Sequence, residues 1–149
     1  MRCVVQRVTR AQVTVEGETV GQIGKGFMVL VGVESEDGPK DMSYCVEKIA
    51  GLRVFEDSED KMNLSLSDVG GQVLLVSQFT LLGDARHGRR PSFIRAERPE
   101  IAGPMVEEMA QALRQKGLHV ETGRFQTHMQ VELVNDGPVT LLLDSRKGF

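Results

Sequence analysis

An apolar run over residues 73–82, Val-Leu-Leu-Val-Ser-Gln-Phe-Thr-Leu-Leu, is the feature that most constrains the fold. The run is much shorter than the roughly 20 apolar residues that a membrane span needs. Glycines flank it on both sides, as they commonly do at turns. It therefore predicts one long, largely buried strand. Because Ser77, Gln78 and Thr80 would be costly to bury without hydrogen-bond partners, we expect this strand to form the floor of a functional site.

Two amphipathic helices are predicted, one before and one after this strand. The first begins at Pro39, with Asp37 as a candidate N-cap, and its apolar residues recur at helical spacing as far as Gly51. The second covers about residues 99–116 and has a glycine directly after it, where helices commonly end. Its apolar stripe is predicted to be Ile101, Met105, Met109 and Leu113.

The rest of the chain predicts short strands, roughly eight in all with residues 73–82 included. Residues 3–8 and 11–15 are predicted as two separate strands, as are 129–133 and 139–143. These elements predict an α+β fold with one domain over residues 1–149. The expected architecture is an antiparallel-rich, β-barrel-like curved sheet with about two packed helices outside it. An open two-layer sandwich is the alternative.

Charge is unevenly distributed along the chain. The formal net charge is −3, yet residues 83–98, the arginine loop, hold five arginines and two acids, a local charge of +3. Arg2, Arg7 and Arg10 form a second basic cluster. An acidic protein that concentrates arginine in one loop is expected to meet an anionic partner there. A solvated loop that only aids solubility is the alternative.

Neither the histidines nor the cysteines have the spacing of metal ligands. His87, His119 and His128 are scattered, and Cys3 and Cys45 belong to no paired-cysteine motif. We therefore predict no metal, no cofactor, and two free thiols of the kind found in cytoplasmic proteins. Charged residues interrupt the N-terminus too often for a signal peptide, so a cytoplasmic location without a membrane partner is expected.

The sequence leaves conventional serine chemistry open. Ser77 lies in Val-Ser-Gln rather than in the nucleophile elbow Gly-x-Ser-x-Gly. A triad can still be assembled from distant residues, with His87 or His128 as the base. The glycines of residues 21–26 match neither dinucleotide-binding nor Walker spacing, and they indicate a turn.

Two further features need an explanation. Gly137-Pro138 lies between two predicted strands, and cis X-Pro bonds are found mostly in tight turns. A glycine at such a step leaves the backbone open to a docking group. Arg7 lies inside an otherwise apolar strand, where a charge usually has a specific partner.

Two motifs give the chain a family resemblance. Ser-Gln-Phe-Thr-Leu at 77–81 and Asn-Asp-Gly-Pro-Val-Thr at 135–140 resemble the signature motifs of the D-aminoacyl-tRNA deacylases. The opening Met-Arg-Cys-Val-Val-Gln-Arg-Val and the segment 83–93 are also similar to that family. The resemblance extends from residue 1 to residue 149. Two motifs in order over the full length are far more specific than either motif alone.

The resemblance implies a β-barrel-like homodimer with its site at the subunit interface. The family hydrolyses the ester between a D-amino acid and the 3′-terminal adenosine of tRNA, removes glycine mischarged on tRNA-Ala, and spares L-aminoacyl-tRNA. Carried over, Gly137 and Pro138, followed by Val139, form a Gly-cisPro element that enters the partner's site and binds substrate. The four residues of the facing catalytic wall are Ser77, Gln78, Phe79 and Thr80.

The chemistry of these residues suits such roles. The amides of Phe79 and Thr80 are candidate oxyanion donors, and the Thr80 hydroxyl either assists or acts as nucleophile. The resemblance favours activation of water by the tRNA 2′-hydroxyl. Carbonyls of Gly137 and Pro138 are expected to hold the substrate ammonium, so that an L side chain collides with the motif and a D side chain points to solvent. Arg7 is expected to hold this motif.

Phosphates of the tRNA acceptor stem are expected to meet the arginine loop. The residues assigned to this contact are Arg86, Arg89 and Arg90. Two other functions stay open at this point. A conventional serine or threonine esterase would need a histidine beside Ser77 or Thr80. A nucleic-acid-binding module without enzymatic activity would need only the arginines.

Overall fold

The computed structural model describes residues 1–149, which form strands, helices and one 3₁₀ turn. The strands are β1 (Arg2–Val15), β2 (Glu18–Ile23), β3 (Gly26–Gly32), β4 (Phe55–Glu56), β5 (Met62–Leu64), β6 (Gln72–Ser77), β7 (His119–Thr122) and β8 (Gln130–Asp144). The helices are α1 (Pro39–Gly51), α2 (Leu66–Val69) and α3 (Pro99–Gln115), and the 3₁₀ turn is Phe79–Leu82. Both predicted helices are present, and the short α2 lies in a segment for which no helix was predicted.

Six strands form one mixed sheet. Five of them follow the order β2-β1-β3-β6-β7, and the sixth, β8, pairs with β1 outside this path. The pairs made by β1 are antiparallel, whereas β3–β6 and β6–β7 are parallel. The sheet curves into a nearly closed barrel, so the predicted α+β barrel-like fold is confirmed. The sheet contains more parallel pairing than the sequence indicated, because α1 lies on the connection from β3 to β6 and α3 on that from β6 to β7.

Both faces of the central strands are buried. Phe27 and Val29 of β3 belong to a large core that also includes the inner faces of α1 and α3, while Met28 between them belongs to a smaller core inside the barrel. Val73 and Leu74 of β6 divide between the two cores in the same way. This arrangement explains why β3 and β6 read as continuous apolar runs rather than as alternating ones.

The helices follow the predicted periodicity with local differences. Gly38, not Asp37, occupies the N-cap position of α1. The Asp37 carboxylate instead accepts hydrogen bonds from the Met1 ammonium at 2.9 Å and from the Glu34 amide at 2.8 Å. On α3 the buried face is Ala102, Val106, Met109, Ala110 and Leu113. Of the predicted stripe, Met109 and Leu113 are buried and Met105 is half-buried against the core, whereas Ile101 is exposed.

Two predicted strand breaks are absent from the structure. β1 runs unbroken through residues 9 and 10, and β8 runs unbroken through 134–138. The two strands pair along most of their length, with register shifts near the middle. The polar residues, glycine and proline of 135–138 predicted a separation of two strands, but the pairing of the two long strands overrides that local preference.

The predicted strand over residues 73–82 was wrong beyond Ser77, where β6 ends and the 3₁₀ turn follows. The last ladder bond is donated by the Gln78 amide to the Val31 carbonyl at 2.8 Å. The turn then packs on Gly32 of β3, where an added Cβ would lie 2.5 Å from a methyl group of Leu82. A glycine at the end of the neighbouring strand therefore makes room for the turn.

Candidate active site

The 3₁₀ turn forms one wall of a cavity of about 500 Å³. The cavity is lined by Val33, Ser77, Gln78, Phe79, Thr80, Phe93, Ala96, Glu97, Arg98, Pro99, Ala102, Phe125, Gln126, Thr127 and Met129. All four residues that the sequence placed in the catalytic wall therefore share one cavity. The start of α3 and the residues Phe125, Gln126, Thr127 and Met129 complete it, and their contribution was not predicted.

The backbone of the turn leaves two amides without an acceptor inside the turn. Its hydrogen bonds run from the Leu81 amide to the Gln78 carbonyl at 3.2 Å and from the Gly83 amide to the Thr80 carbonyl at 3.0 Å. The first N–H groups of a helical turn have no partner within it. The amides of Phe79 and Thr80 occupy these first positions. These two amides are free because they stand at the start of a helical turn. The sequence instead predicted them on an extended strand.

The side chains of this wall include no nucleophile–base pair. The Gln78 side-chain amide donates to the Thr80 hydroxyl oxygen at 2.9 Å. No hydrogen bond connects Ser77 or Thr80 to a histidine, and no histidine lines the cavity. The two candidate bases, His87 and His128, are both exposed. This geometry does not favour the conventional esterase.

Three exposed phenylalanines give the cavity an aromatic rim. The rings of Phe79 and Phe93 meet edge to face at 5.4 Å between centroids. Phe79 is 57% exposed, and Phe93 and Phe125 are each 37% exposed. Exposed aromatic side chains around a concave surface are typical of ligand sites. The sequence signal that could have found Phe93 is its place in the segment 83–93, which resembles the family, whereas Phe125 has no such signal.

The second motif lies where β8 leaves its ladder with β1. Gln6 pairs with Thr140 and Val8 pairs with Asn135. One residue of β1 therefore stands opposite residues 136–139 of β8. These residues, the Gly-Pro bulge, project out of the sheet in the way that β-bulges re-aim a strand.

Arg7 is the β1 residue opposite the bulge, and it holds the bulge in place. The Arg7 side chain is only 4% exposed. Its Nε donates to the Asp136 carbonyl at 3.1 Å, while Nη1 donates to the Val54 carbonyl at 2.7 Å and to the Glu56 carboxylate at 2.9 Å. A backbone hydrogen bond at Glu56 and the Arg7 guanidinium together lower the pKa of the Glu56 carboxyl. Arg7 thus has the specific partners that a charge inside an apolar strand requires.

The tip of the bulge is exposed backbone. The Gly137–Pro138 peptide is cis, and Gly137 has a φ of +126°. Both residues are exposed, while the amide of Val139 donates to the Asn135 side-chain oxygen at 3.1 Å. None of the residues of the bulge lines the cavity of the same chain. The two predicted halves of the site are therefore apart within one chain.

The arginine loop is closed by a bridge between Asp84 and Ser92. Arg86 pairs with Asp84 at 2.7 Å, and this contact lowers the pKa of the Asp84 carboxyl. Arg89 and Arg90 are exposed and form no ion pair or hydrogen bond. Of the three arginines assigned to tRNA, two therefore present unpaired charge to solvent, and one is partly neutralised.

The structure contains no group of three or more His, Cys, Asp or Glu side chains placed to hold a metal ion. The absence of a metal or cofactor stays a prediction. Cys3 and Cys45 are free and buried. None of the helices has the length and apolar character needed to cross a membrane.

Comparison with known proteins identifies the family. The family model described as D-Tyr-tRNA(Tyr) deacylase matches residues 4–144. The chain belongs to this deacylase family. Relatives named D-aminoacyl-tRNA deacylase include one from Symbiobacterium thermophilum, 64% identical over 149 residues that cover 100% of this chain and 99% of the relative, and one from Desulfitobacterium hafniense, 62% identical over the whole of both chains. The predicted class of enzyme, a hydrolase acting on ester bonds, is confirmed through this deacylase family.

Solved structures agree with the assignment of the deacylase fold. A structure titled c-Myc DNA Unwinding Element Binding Protein has a TM-score of 0.90 and 42% identity, and the match covers 97% of this chain and 98% of the other. A probable eukaryotic D-amino acid tRNA deacylase has a TM-score of 0.81 over 96% of this chain and 98% of the other. At 17% identity, the second match shows the shared fold alone.

Proposed function

We propose that this chain hydrolyses the ester between a D-amino acid and the 3′-terminal adenosine of tRNA, accepts glycine mischarged on tRNA-Ala, and rejects L-aminoacyl-tRNA. The observation that carries this proposal is the pair of amides at Phe79 and Thr80 that the 3₁₀ turn leaves free in the cavity wall. Membership of the deacylase family supports the same reaction. A tRNA substrate of this kind is met in the cytoplasm, where we propose that the protein acts.

The proposed reaction uses backbone donors rather than a side-chain base. Attack of water on the ester carbonyl creates an oxyanion, and preorganised amides such as those of Phe79 and Thr80 stabilise it. The Thr80 hydroxyl oxygen accepts a hydrogen bond from Gln78 and therefore keeps its own proton to donate to the substrate. The 2′-hydroxyl of the terminal ribose would help to activate the water, since no histidine lines the cavity.

Chirality would be read by the Gly-Pro bulge of a second copy of the chain. The carbonyls of Gly137 and Pro138 would bind the substrate ammonium by charge-assisted hydrogen bonds. With the ammonium and the ester carbonyl both fixed, an L side chain would strike the bulge, whereas a D side chain would point to solvent. Val139 would complete this face, and Arg7 would keep it rigid through its bond to the Asp136 carbonyl.

A homodimer is supported by the free edge of β8. This strand pairs only with β1, so its other edge presents unpaired backbone groups over Gln130–Asp144. A long free strand edge tends to pair with a strand of another chain unless something covers it. Val134 and Leu142 on the same strand are 39% and 59% exposed. The bulge lies on this strand and does not reach the cavity of its own chain, which is what a site shared between two copies requires.

The stereochemical proposal is tested with matched D- and L-tyrosyl-tRNA at equal enzyme concentration, following ester loss. We expect D-tyrosine to be released while L-tyrosyl-tRNA stays intact, because only the L side chain meets the bulge. Glycyl-tRNA-Ala should also be hydrolysed, since glycine has no side chain to collide. Equal rates on the two enantiomers would contradict the role of the bulge.

The shared site is tested by mixing two defective variants. Phe79→Pro removes an amide from the cavity wall, and Gly137→Ala disturbs the bulge. In a symmetric dimer, random pairing makes half of the dimers mixed, and each mixed dimer has one site with both parts intact, so about a quarter of wild-type activity should return. A mixture that stays as inactive as its components would show that each site is built from one chain.

A further inference from the structure

A small pocket at the arginine loop brings together two arginines of the loop and one from the start of the chain. Arg2 of β1, Arg86 and Arg95 line a space of about 210 Å³ together with Gly83, Asp84 and Ala85. This volume is several times the roughly 30 Å³ that one water takes in the liquid, so a phosphate group fits. The sequence placed Arg2 in a different basic cluster, and the fold brings it to the loop.

Arg2 carries an unmet hydrogen-bonding group. Its Nε is buried and has no hydrogen-bond partner, and no other buried side-chain nitrogen or oxygen in the protein lacks one. The nearest carboxylate oxygen, on Asp144, lies 3.9 Å away, beyond hydrogen-bond distance. Buried polar atoms are almost always paired, so an exception needs an explanation, and a bound ion is one of those known. Arg2 therefore points to an anionic group at this pocket.

Carboxylates pair with two of the three guanidinium groups, those of Arg86 and Arg95. Arg95 pairs with Glu34, whose side chain is only 4% exposed and is also held by Arg146 at 2.9 Å. Arg86 pairs with Asp84 at 2.7 Å. A guanidinium group has five N–H donors in a fixed fork, so one carboxylate partner leaves donors for a second anion. Arginine in this arrangement is suited to bind phosphate through two donors at once.

The position of the pocket fits the proposed substrate. Phe93 lines the candidate active site and Arg95 lines the arginine pocket, and the two residues are only two positions apart in the same loop. We infer that Arg2, Arg86 and Arg95 bind a backbone phosphodiester of the tRNA close to the aminoacyl end, while the ester occupies the neighbouring cavity. This inference rests on the proposed function and adds Arg2 and Arg95 to the residues assigned to tRNA.

The inference is tested with Arg2→Gln in the full-length protein. The variant should weaken binding of tRNA several-fold and make the salt dependence shallower by about 0.7 in slope, the value for one phosphate contact on a single strand. Arg2→Lys keeps the charge but lacks the fork, so its binding should be intermediate. Lys116→Gln is the matched control, because it removes one positive charge at the other end of α3, roughly 25 Å from the loop.

The D-tyrosyl ester of adenosine has no phosphodiester. Its hydrolysis therefore distinguishes an effect on phosphate binding in the pocket from an effect on the catalytic site. Arg2→Gln should lose more activity on D-tyrosyl-tRNA than on the adenosine ester. The inference would be overturned if tRNA binding by Arg2→Gln depended on salt as that of Lys116→Gln does. It would also be overturned if Arg2→Gln lost equal activity on the two substrates. If the wild type hydrolyses neither ester while Arg2→Gln still makes tRNA binding less sensitive to salt, the proposed reaction fails and the phosphate pocket stands.

Discussion

The 3₁₀ turn follows the end of β6 and the Gly-Pro bulge lies within β8, and different physical interactions hold the two in place. The turn at Phe79–Leu82 ends β6 and packs on Gly32 through apolar contacts. The bulge interrupts only the pairing of β8 with β1, and the buried Arg7 donates a hydrogen bond to the Asp136 carbonyl. Shape complementarity therefore fixes the turn, and a charged hydrogen-bond network fixes the bulge.

The two regions also present different backbone groups. The start of the turn offers N–H donors at Phe79 and Thr80, whereas the bulge is proposed to offer carbonyl acceptors at Gly137 and Pro138. An aminoacyl ester needs both kinds, because its carbonyl oxygen gains negative charge and its ammonium is positive. One sheet can therefore supply a donor site and an acceptor site from backbone alone, the first just after the end of a strand and the second at a bulge within one.

The largest expected effect comes from removing one donor of the turn. Phe79→Pro deletes the amide, yet proline is tolerated at the first position of a helical turn, and Gln78 before it already has extended angles of −146° and 94°. Loss of one oxyanion donor should lower kcat by about 10²–10³-fold. Single-turnover hydrolysis of D-tyrosyl-tRNA, with folding checked by circular dichroism, measures this.

Two control variants show whether the amide itself is responsible. Phe79→Ala removes the ring but keeps the N–H, and Thr80→Ala removes the hydroxyl but keeps both amides, so each should retain far more turnover than Phe79→Pro. Removing the 2′-hydroxyl from the substrate should lower the rate of hydrolysis at least as much as Thr80→Ala does. A trapped acyl-enzyme on Thr80 or Ser77, with full activity on the 2′-deoxy substrate, would establish the conventional esterase instead.

A smaller effect is expected from crowding the bulge. Gly137→Ala places a Cβ 2.8 Å from a methyl group of Val139 and 3.1 Å from Nη2 of Arg7, at a φ of +126° that L side chains rarely adopt. Unfavourable backbone angles of this kind cost about 1–3 kcal/mol. A displacement of the bulge that costs the transition state about 1.4 kcal/mol would lower kcat/KM about tenfold.

Gly17→Ala is the matched control for this variant. Gly17 also has a positive φ, +80°, but an added Cβ meets nothing within 4 Å. The Gly17→Ala variant should therefore be less stable in urea denaturation but should keep its hydrolytic activity. If Gly137→Ala loses stability but hydrolyses D-tyrosyl-tRNA at the wild-type rate, the bulge does not take part in the site.

Sequence patterns predicted which residues share the cavity wall better than they predicted the shape of the backbone that carries them. The apolar run at 73–82 looked like a single strand because its composition is local, whereas the turn inside it depends on Gly32, which comes much earlier in the chain. The bulge likewise depends on Arg7 of β1. The motifs named the wall and the Gly-Pro step, but the phenylalanine rim and the arginine pocket arise from long-range packing that no single-sequence periodicity reports.

The smallest effect is expected from pH acting on the support of the bulge. The pKa of the Glu56 carboxyl is lowered by its own backbone hydrogen bond and by Arg7. Its folded-state pKa is therefore below the value of 4.5 for the unfolded chain, so the contact stabilises the fold fully above about pH 4.5 and is lost as pH falls through the lower folded value. The carboxylate is 44% exposed, so solvent screening keeps the effect modest.

A double-mutant cycle of Arg7→Gln and Glu56→Gln, measured by thermal unfolding at pH 7 and pH 3, tests this contact. The two residues should be coupled at pH 7, and the coupling should decrease at pH 3, because Glu56 of the unfolded chain takes up a proton below about pH 4.5. Arg7→Gln alone should remain destabilising at pH 3, because the carbonyls of Val54 and Asp136 lose their donor at any pH. Coupling that is unchanged between the two pH values would mean that backbone hydrogen bonds, rather than the ion pair, hold Arg7 against the bulge. The support would then be insensitive to pH, like the apolar packing of the turn on Gly32.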